Sequence, residues 1–203
     1  MNITKKAQVF LEENLTLDDM LPTKMPVYVN SVAYLFGVLS LSALGMLIAT
    51  GVIMSLFGPD WYHASKVGLF FNSLHFWSVQ FFFGGIIMHL IAKYFMAAWR
   101  NGRWLSWFVG ALTFGIAMVT GLTGFLSQTN WDSQWIAVQS KDAINAAGLG
   151  QLLNPMDVGQ ILTLHIVVLP LVVCILVGVH LFLIRRDSPV RPISEDKKKA
   201  RPQ

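Results

Sequence analysis

The sequence predicts an all-α membrane protein with four transmembrane helices. Of its 203 residues, 54% are hydrophobic and only 13% are charged, a composition that favours a bilayer over water as the surrounding medium. Four stretches are long and apolar enough to cross a hydrocarbon core, which takes about 20 helical residues. The segments between them are too short to form a large soluble domain.

The four predicted spans contain no Asp, Glu, Lys or Arg and are residues 32–57, 67–92, 104–126 and 158–184. Turn and charge signals separate them. The sequence GPDWYH follows the first span, AAWRNGR follows the second, and a longer polar stretch, residues 127–157, follows the third. Consecutive spans are therefore expected to run up and down through the membrane.

The distribution of Lys and Arg predicts the orientation. Lys66 and Lys141 are the only basic residues in the loops after the first and third spans. The N-terminal arm, the loop after the second span and the C-terminal tail carry the other thirteen: Lys5, Lys6, Lys24, Lys93, Arg100, Arg103, Arg185, Arg186, Arg191, Lys197, Lys198, Lys199 and Arg201. Because positive residues near helix ends stay in the cytoplasm, both termini are predicted to be cytoplasmic. These basic residues are expected to contact lipid headgroups and water, not nucleic acid.

The chain is accordingly predicted to have three parts. Residues 1–31 form a cytoplasmic arm whose helical spacing predicts an amphipathic helix on the membrane surface. Residues 32–186 form the four-helix transmembrane domain, and residues 187–203 form a basic, flexible tail. The arm lacks the features of a secretory signal, and we expect a multi-pass protein of a bacterial-type cytoplasmic membrane.

Four of the five histidines lie inside two predicted spans, where ionisable residues are rare and indicate function. His75 and His89 are fourteen residues apart in the second span, and His165 and His180 are fifteen apart in the fourth. At about 100° per residue, the two members of each pair lie within roughly 40° and 60° of each other around the helix. The helical rise places them roughly 21 Å apart, near opposite sides of the membrane.

The second and fourth spans run in the same direction, so His75 is level with His165 and His89 is level with His180. Two facing imidazoles inside a helical bundle suit six-coordinate haem iron. The spacing therefore predicts two stacked haems and an electron path across the membrane.

Two pairs of glycines repeat this spacing on the spans that carry no histidine. Gly37 and Gly51 are fourteen residues apart in the first span, as are Gly110 and Gly124 in the third. Because glycine lacks Cβ, a macrocycle can lie directly against the backbone there. These four residues are predicted to line the haems.

The remaining histidine and the single cysteine are expected to have other roles. His63 lies in a loop and is expected at the surface, at the level of the lipid headgroups. One cysteine, Cys174, excludes an internal disulfide and a CxxCH haem attachment, and is expected to be a small buried apolar residue within its span.

The spaced glycines and histidines, with HIVVLP after the third ligand position and HLFLIRRDSP from the fourth, resemble the N-terminal, haem-bearing half of cytochrome b from quinol-oxidising bc and bf complexes. The resemblance covers roughly residues 29–189. The fifteen-residue step in the last span and the length of four spans are similar to the split, cytochrome b6-like form. The fused mitochondrial form has fourteen in both spans.

The resemblance implies a role for each site residue. The four histidines would be the axial ligands of two non-covalent haems b. His75 and His165 would hold the low-potential haem near the positive side of the membrane, and His89 and His180 the haem near the negative side. Arg185 would pair with a haem propionate or help to form a quinone pocket on the negative side.

The resemblance also implies partners and an activity. The chain would be an electron-transfer subunit of a quinol–cytochrome c, or other acceptor, oxidoreductase, using quinol and quinone and not catalytic alone. Expected partners are a membrane subunit equivalent to the C-terminal half of cytochrome b (subunit IV-like), a Rieske iron–sulfur protein, and a cytochrome c-type or other acceptor. The complex is expected to be dimeric and surrounded by lipid.

The chain departs from the family pattern near the positive side and at one other position. Leu35 stands where the bf subfamily has a cysteine, so no covalent haem is expected through this chain. Gln160 stands where the family has an arginine, Phe76 stands where many relatives have arginine or alanine, and GFLSQTNWD replaces the usual GYxLPW. These changes keep open an alternative function, a dihaem membrane anchor of another quinone-linked oxidoreductase without electron bifurcation. A second alternative is a haem-free channel or transporter whose histidines carry protons.

Overall fold

The computed structural model describes residues 3–14, 32–128, 130–187 and 190, and within these ranges it is built of helices and turns without a strand. Four of the helical segments are long and apolar enough to cross a membrane. The first to fourth spans are Val32–Phe57, Lys66–Phe95, Trp104–Leu126 and Val158–Arg186. This confirms the predicted class, an all-α membrane protein with four transmembrane helices. The first and third spans have the predicted bounds, whereas the second and fourth extend further into their flanking segments.

The described residues form eight α-helices and one π-helical turn. The first, second and third spans are the helices α2, α4 and α5. The fourth span consists of α7, the π turn and α8 in succession. In chain order the elements are α1 (Ile3–Asn14), α2 (Val32–Phe57), α3 (Pro59–Ala64), α4 (Lys66–Phe95), α5 (Trp104–Leu126), α6 (Trp131–Ala146), α7 (Val158–Thr163), the π turn (Leu164–Val168) and α8 (Leu169–Arg186).

The four spans pack in two pairs. The first span contacts the second extensively, and the third contacts the fourth, whereas the second and third meet over only a short length. Large apolar side chains such as Leu56 and Phe81 point outward, with 76% and 73% of their surfaces exposed, as expected for helices surrounded by lipid. Each histidine-bearing span therefore lies beside a glycine-bearing span.

A π turn around His165 explains the fifteen-residue step of the fourth span. The backbone N–H of Leu169 donates to the carbonyl of Leu164, five residues earlier. The next residue, Pro170, has no N–H to continue the ordinary ladder of α-helical bonds. A π turn absorbs one extra residue within the helix. The offset between His165 and His180 is therefore expected to be closer to that of a fourteen-residue pair than to the roughly 60° of an unbroken α-helix.

The polar stretch 127–157 contains helix α6, which the sequence analysis did not predict. The Asn130 side chain accepts a hydrogen bond from the backbone N–H of Ser133 and so caps the start of the helix. Ala137, 1% exposed, packs with Leu126 and Ile161 from the ends of the third and fourth spans. Helix α6 thus ties these two spans together at the end that holds His165.

The segment GPDWYH, predicted as a turn, is a turn followed by the short helix α3. Gly58 has a φ of 81°, a left-handed conformation that glycine adopts at little cost. Pro59 then begins α3, at the first helical position where its missing N–H costs nothing. The Ser65 side chain accepts a hydrogen bond from the N–H of Gly68 and starts the second span.

The N-terminal arm contains helix α1, whose Phe10 lies 5.9 Å from Phe182 of the fourth span, measured between ring centroids. The position of α1 on the membrane surface stays a prediction. Residues 15–31, and the predicted tail apart from residues 187 and 190, lie outside the described residues.

Candidate paired-histidine sites

His75 of the second span faces His165 of the fourth. Their ring centroids are 6.3 Å apart and the ring planes are inclined at 81°. Two metal–nitrogen bonds of about 2.0 Å each, together with the two ring radii, add up to nearly this distance. The gap therefore fits one metal ion held between the two imidazoles.

These rings alone do not complete the coordination of a metal. Among the described residues, no group of three or more His, Cys, Asp or Glu side chains is placed to hold an ion. The other ligands must then come from a non-protein group, as the four porphyrin nitrogens do for haem iron. The arrangement fits haem and does not fit a structural zinc site, which takes four protein ligands.

Both rings of this pair are oriented by hydrogen bonds from Nδ1. The Thr50 hydroxyl donates to the Met46 carbonyl at 2.8 Å, so its oxygen accepts from His75 Nδ1, also at 2.8 Å. His165 Nδ1 lies 2.9 Å from the Thr120 carbonyl, which can only accept. The proton of each ring is therefore on Nδ1, which leaves Nε2 free to bind a metal.

His89 and His180 lie at the other end of the same two spans. Both line a cavity of about 690 Å³, together with Gly37 and Gly110. The Nδ1 atoms of both rings are buried and make no hydrogen bond of ideal geometry within the described part of the chain, although each ring faces a backbone carbonyl of the neighbouring span. The cavity and the two polar ring edges fit a large planar ligand with a metal at its centre.

Each histidine ring also interacts with one backbone carbonyl of the neighbouring glycine-bearing span. The four carbonyls share one position, four residues before a spaced glycine: Leu47 for His75, Ala33 for His89, Thr120 for His165 and Ser106 for His180. In an α-helix the carbonyl of residue i−4 lies one turn below residue i. The missing glycine side chain thus opens the approach to that carbonyl.

The spaced glycines make room for the imidazole rings. If a Cβ is built on each glycine, the nearest atom is Cε1 of one histidine. The distances are 2.9 Å (Gly37 to His89), 3.4 Å (Gly51 to His75), 2.8 Å (Gly110 to His180) and 2.5 Å (Gly124 to His165). Separations below 3.0 Å do not occur for real Cβ atoms, so three of the four positions exclude any larger residue without a shift of the ring. The expected contact of these glycines with a macrocycle stays a prediction.

Basic side chains surround the cavity that holds His89 and His180. Arg185 lines it while its side chain remains exposed. Arg103 also lines it and donates through Nη2 to the Asp187 carbonyl at 3.0 Å. Lys93 has a buried Nζ that lies 3.3 Å from the centre of the Tyr34 ring.

The sequence analysis had not assigned Lys93 or Arg103 to the site. For Lys93 a signal existed, because it follows His89 by four residues and so shares its helix face. Arg103 lies in the loop just before the third span, and only the folded structure brings it to the cavity.

The residues that distinguish this chain from the family pattern lie around the two sites. Leu35 lines the cavity and supplies no thiol. Phe76 is exposed beside His75. Gln160 holds the preceding loop in place: its side-chain oxygen accepts from the Asn154 N–H at 2.6 Å and its amide donates to the Leu152 carbonyl at 3.1 Å.

His63 and Cys174 belong to neither histidine pair. His63 is exposed on α3, and its ring lies 4.7 Å from that of Tyr62. Cys174 is exposed on the outer surface of the fourth span, so the expectation that it is buried was wrong.

A family model described as cytochrome b (N-terminal)/b6/petB matches residues 80–203. Cytochrome b6 of Emiliania huxleyi is 25% identical over 205 residues, covering 90% of this chain and 95% of that protein. Cytochrome b6 of Heliomicrobium gestii is 26% identical over 131 residues, covering 59% of this chain and 62% of that protein.

Among solved structures, a chain of a hyperthermophilic respiratory Complex III matches with a TM-score of 0.74 and 19% identity, covering 96% of this chain and 58% of that one. This chain thus spans a little over half the length of that neighbour. At this level of identity, the likeness shows a shared fold.

Proposed function

This chain belongs to the family of cytochrome b N-terminal domains and cytochromes b6, as its motifs predicted, and we propose that it is the dihaem cytochrome b subunit of a quinol-oxidising bc- or b6f-type complex. Membership of the family implies that this chain is an integral, multi-pass membrane protein and that it binds haem b. The proposal of two haems in one electron path rests on the two histidine pairs, one at each end of the second and fourth spans. A single pair would suffice for one haem but not for a path across the membrane.

In this proposal each imidazole supplies one axial ligand through Nε2. His75 and His165 hold one haem b, and His89 and His180 hold the other, both non-covalently. Haem supplies reversible one-electron redox chemistry when bound. The chain's own residues orient the rings, through Thr50 and the backbone carbonyls, and exclude water from between the spans.

The proposed activity is electron transfer from a quinol oxidised near His75 and His165 to a quinone reduced near His89 and His180. The positive-residue rule supports this polarity, because the basic residues Arg103 and Arg185 lie at the end that holds His89 and His180. In that orientation both termini are cytoplasmic, in a bacterial-type inner membrane. Arg185, at the rim of the cavity, is placed to pair with a propionate or a quinone.

The activity requires partners. We propose a subunit equivalent to the C-terminal half of cytochrome b, a Rieske iron–sulfur protein and a cytochrome c-type or other acceptor, in a dimeric complex. The similarity to a cytochrome b6, 95% of which is covered, supports the first of these, because the split form has the C-terminal half as a separate subunit. The outward-facing apolar surface of the spans offers room for a further membrane subunit.

A second candidate function, a dihaem anchor without electron bifurcation, is favoured by one observation. Gln160 makes two hydrogen bonds that hold its loop in place, whereas the family pattern has an arginine at this position, five residues before the third ligand. A site for quinol oxidation that lacks this cation would differ from that of the family.

Purification of the complex from native membranes tests the proposal. We expect a redox-titrated optical spectrum with two b-type haems for each copy of this chain, a Rieske-type signal by electron paramagnetic resonance, and quinol-dependent reduction of a cytochrome c. Two haems without the iron–sulfur signal would favour the anchor function. A preparation without a Soret band would contradict both.

The Thr50→Val substitution tests how the positive-side ligand is oriented. Valine keeps the shape but removes the hydroxyl that lies 2.8 Å from His75 Nδ1 and leaves the Leu47 carbonyl as its acceptor, at a cost of up to about 1–3 kcal/mol for a buried donor. An acceptor on Nδ1 raises the basicity of the ligand and favours ferric iron, so the midpoint potential of this haem is expected to rise while that of the other haem stays constant. Optical redox titration measures both.

The matched control for this substitution is Thr113→Val. Thr113 is also buried, and its hydroxyl donates to the Val109 carbonyl of its own helix. The Thr113→Val substitution should leave the midpoint potential of the positive-side haem unchanged. Equal shifts in the two variants would show that Thr50 acts through general packing and not through the histidine.

A further inference from the structure

The side chain of Lys93 is positively charged and buried, and a haem bound in the neighbouring cavity would give it a partner. Its Nζ has no accessible surface and no hydrogen-bond partner in the described ranges. Its visible partner is the Tyr34 ring, 3.3 Å away at the centroid, and a cation–π contact replaces only part of the lost hydration. A buried ammonium ordinarily requires an anionic or hydrogen-bonding partner.

The position of Lys93 indicates where that partner lies. It lines the same cavity as His89 and His180, and its charge acts electrostatically on both rings. The other cations of the cavity are less enclosed: Arg185 is exposed, and Arg103 already donates to the Asp187 carbonyl. Of these three cations, Lys93 is thus the one whose charged atom is buried and has no hydrogen-bond partner in the described residues. It also follows His89 by only four residues.

The charge of Lys93 acts on His89 and His180 and is not among the influences on His75 and His165, whose hydrogen-bond partners are neutral. His75 is bonded to the Thr50 hydroxyl, and His165 to the Thr120 carbonyl. Such acceptors favour the oxidised iron, whereas a nearby positive charge favours the reduced iron, which carries one positive charge fewer. Since all four rings also have a backbone carbonyl as a partner, the Thr50 hydroxyl at one end and the Lys93 charge at the other are the features that would give two bound haems different potentials.

We propose that Lys93 is a positioning residue that pairs with a haem carboxylate in the His89/His180 cavity and raises the midpoint potential of that haem. This inference rests on the proposed function, because it requires a haem in the cavity. A unit charge held roughly 10 Å from the iron, at an effective dielectric constant of about 20, changes the equilibrium constant for reduction by roughly tenfold. For a one-electron couple, tenfold is about 59 mV.

The test compares Lys93→Met, which removes the charge at similar length, with Lys93→Arg, which keeps it, in the purified complex. Optical redox titration gives the haem content and both midpoint potentials. Lys66→Met is the control, because it makes the same change at the opposite end of the same helix, where the lysine is exposed. The haem of the His89/His180 cavity is identified as the one lost in His180→Ala.

In Lys93→Met we expect the midpoint potential of that haem to fall by about 59 mV, which corresponds to a tenfold effect. The potential of the other haem should not change. Lys93→Arg and Lys66→Met should have wild-type potentials for both haems. Loss of that haem in Lys93→Met, with retention in Lys93→Arg, would equally support a role for the charge. Full haem content with unchanged potentials, equal falls for both haems, or loss of haem in both Lys93 variants would overturn the inference. A wild-type complex without b-type haem would instead overturn the proposed function itself.

Discussion

Replacing His180 with alanine is expected to remove one of the two haems and to leave the other in place. His180 and His89 line one cavity, while the other pair lies about four helical turns away along the same spans. Alanine supplies no ligand, so a six-coordinate iron cannot form there. The haem content of the purified complex, measured as the pyridine haemochrome, should fall by half, and one component should disappear from the redox titration.

Two further variants make this expectation specific. His165→Ala should remove the other component, because His165 faces His75 at the opposite end. His63→Ala should keep both haems, since His63 is exposed on α3 outside both pairs. Unchanged haem content in His180→Ala would refute the ligand assignment. Loss of both haems in each single variant would show that the two sites fold as one unit.

The sequence alone was sufficient for the spans and for the pairing of the histidines. Apolar runs end where charge begins, so two of the four spans have the predicted bounds, residues 32–57 and 104–126. The histidine pairs followed from spacing and direction, because a straight helix fixes both the angle and the height of each residue. The structure brings His75 and His165 together as that reasoning required.

Features that depend on contacts between distant segments were not predictable in this way. The π turn at His165 arises from Pro170, and its effect on helix phase is visible only when the hydrogen bonds are known. Arg185 was assigned to the site by resemblance, and its side chain is exposed. Lys93 was not assigned to the site, yet its Nζ is buried. Helix α6 has a capping Asn130 that the sequence does display, but its burial against the ends of two spans depends on the tertiary fold.

Gly124 and Gly51 provide a graded test of how closely the imidazoles pack, since both belong to the site of His75 and His165. A Cβ on Gly124 would lie 2.5 Å from His165 Cε1, whereas one on Gly51 would lie 3.4 Å from His75 Cε1. Overpacking of this kind costs about 1–3 kcal/mol, and displacement of His165 also breaks its bond to the Thr120 carbonyl. Gly124→Ala is therefore expected to lower haem occupancy at this site strongly, and Gly51→Ala only slightly.

Gly115→Ala is the matched control for this series, because nothing lies within 4 Å of a Cβ added there. The haem content and the midpoint potential of the positive-side haem should follow the order Gly115→Ala, Gly51→Ala, Gly124→Ala, from no effect to the largest. If the glycines instead served mainly as a flat surface for the macrocycle, the two site variants would have similar effects, because both glycines occupy equivalent positions on their helices. A steep difference between them would therefore identify the imidazole ring, and not the porphyrin, as the group that requires glycine at these positions.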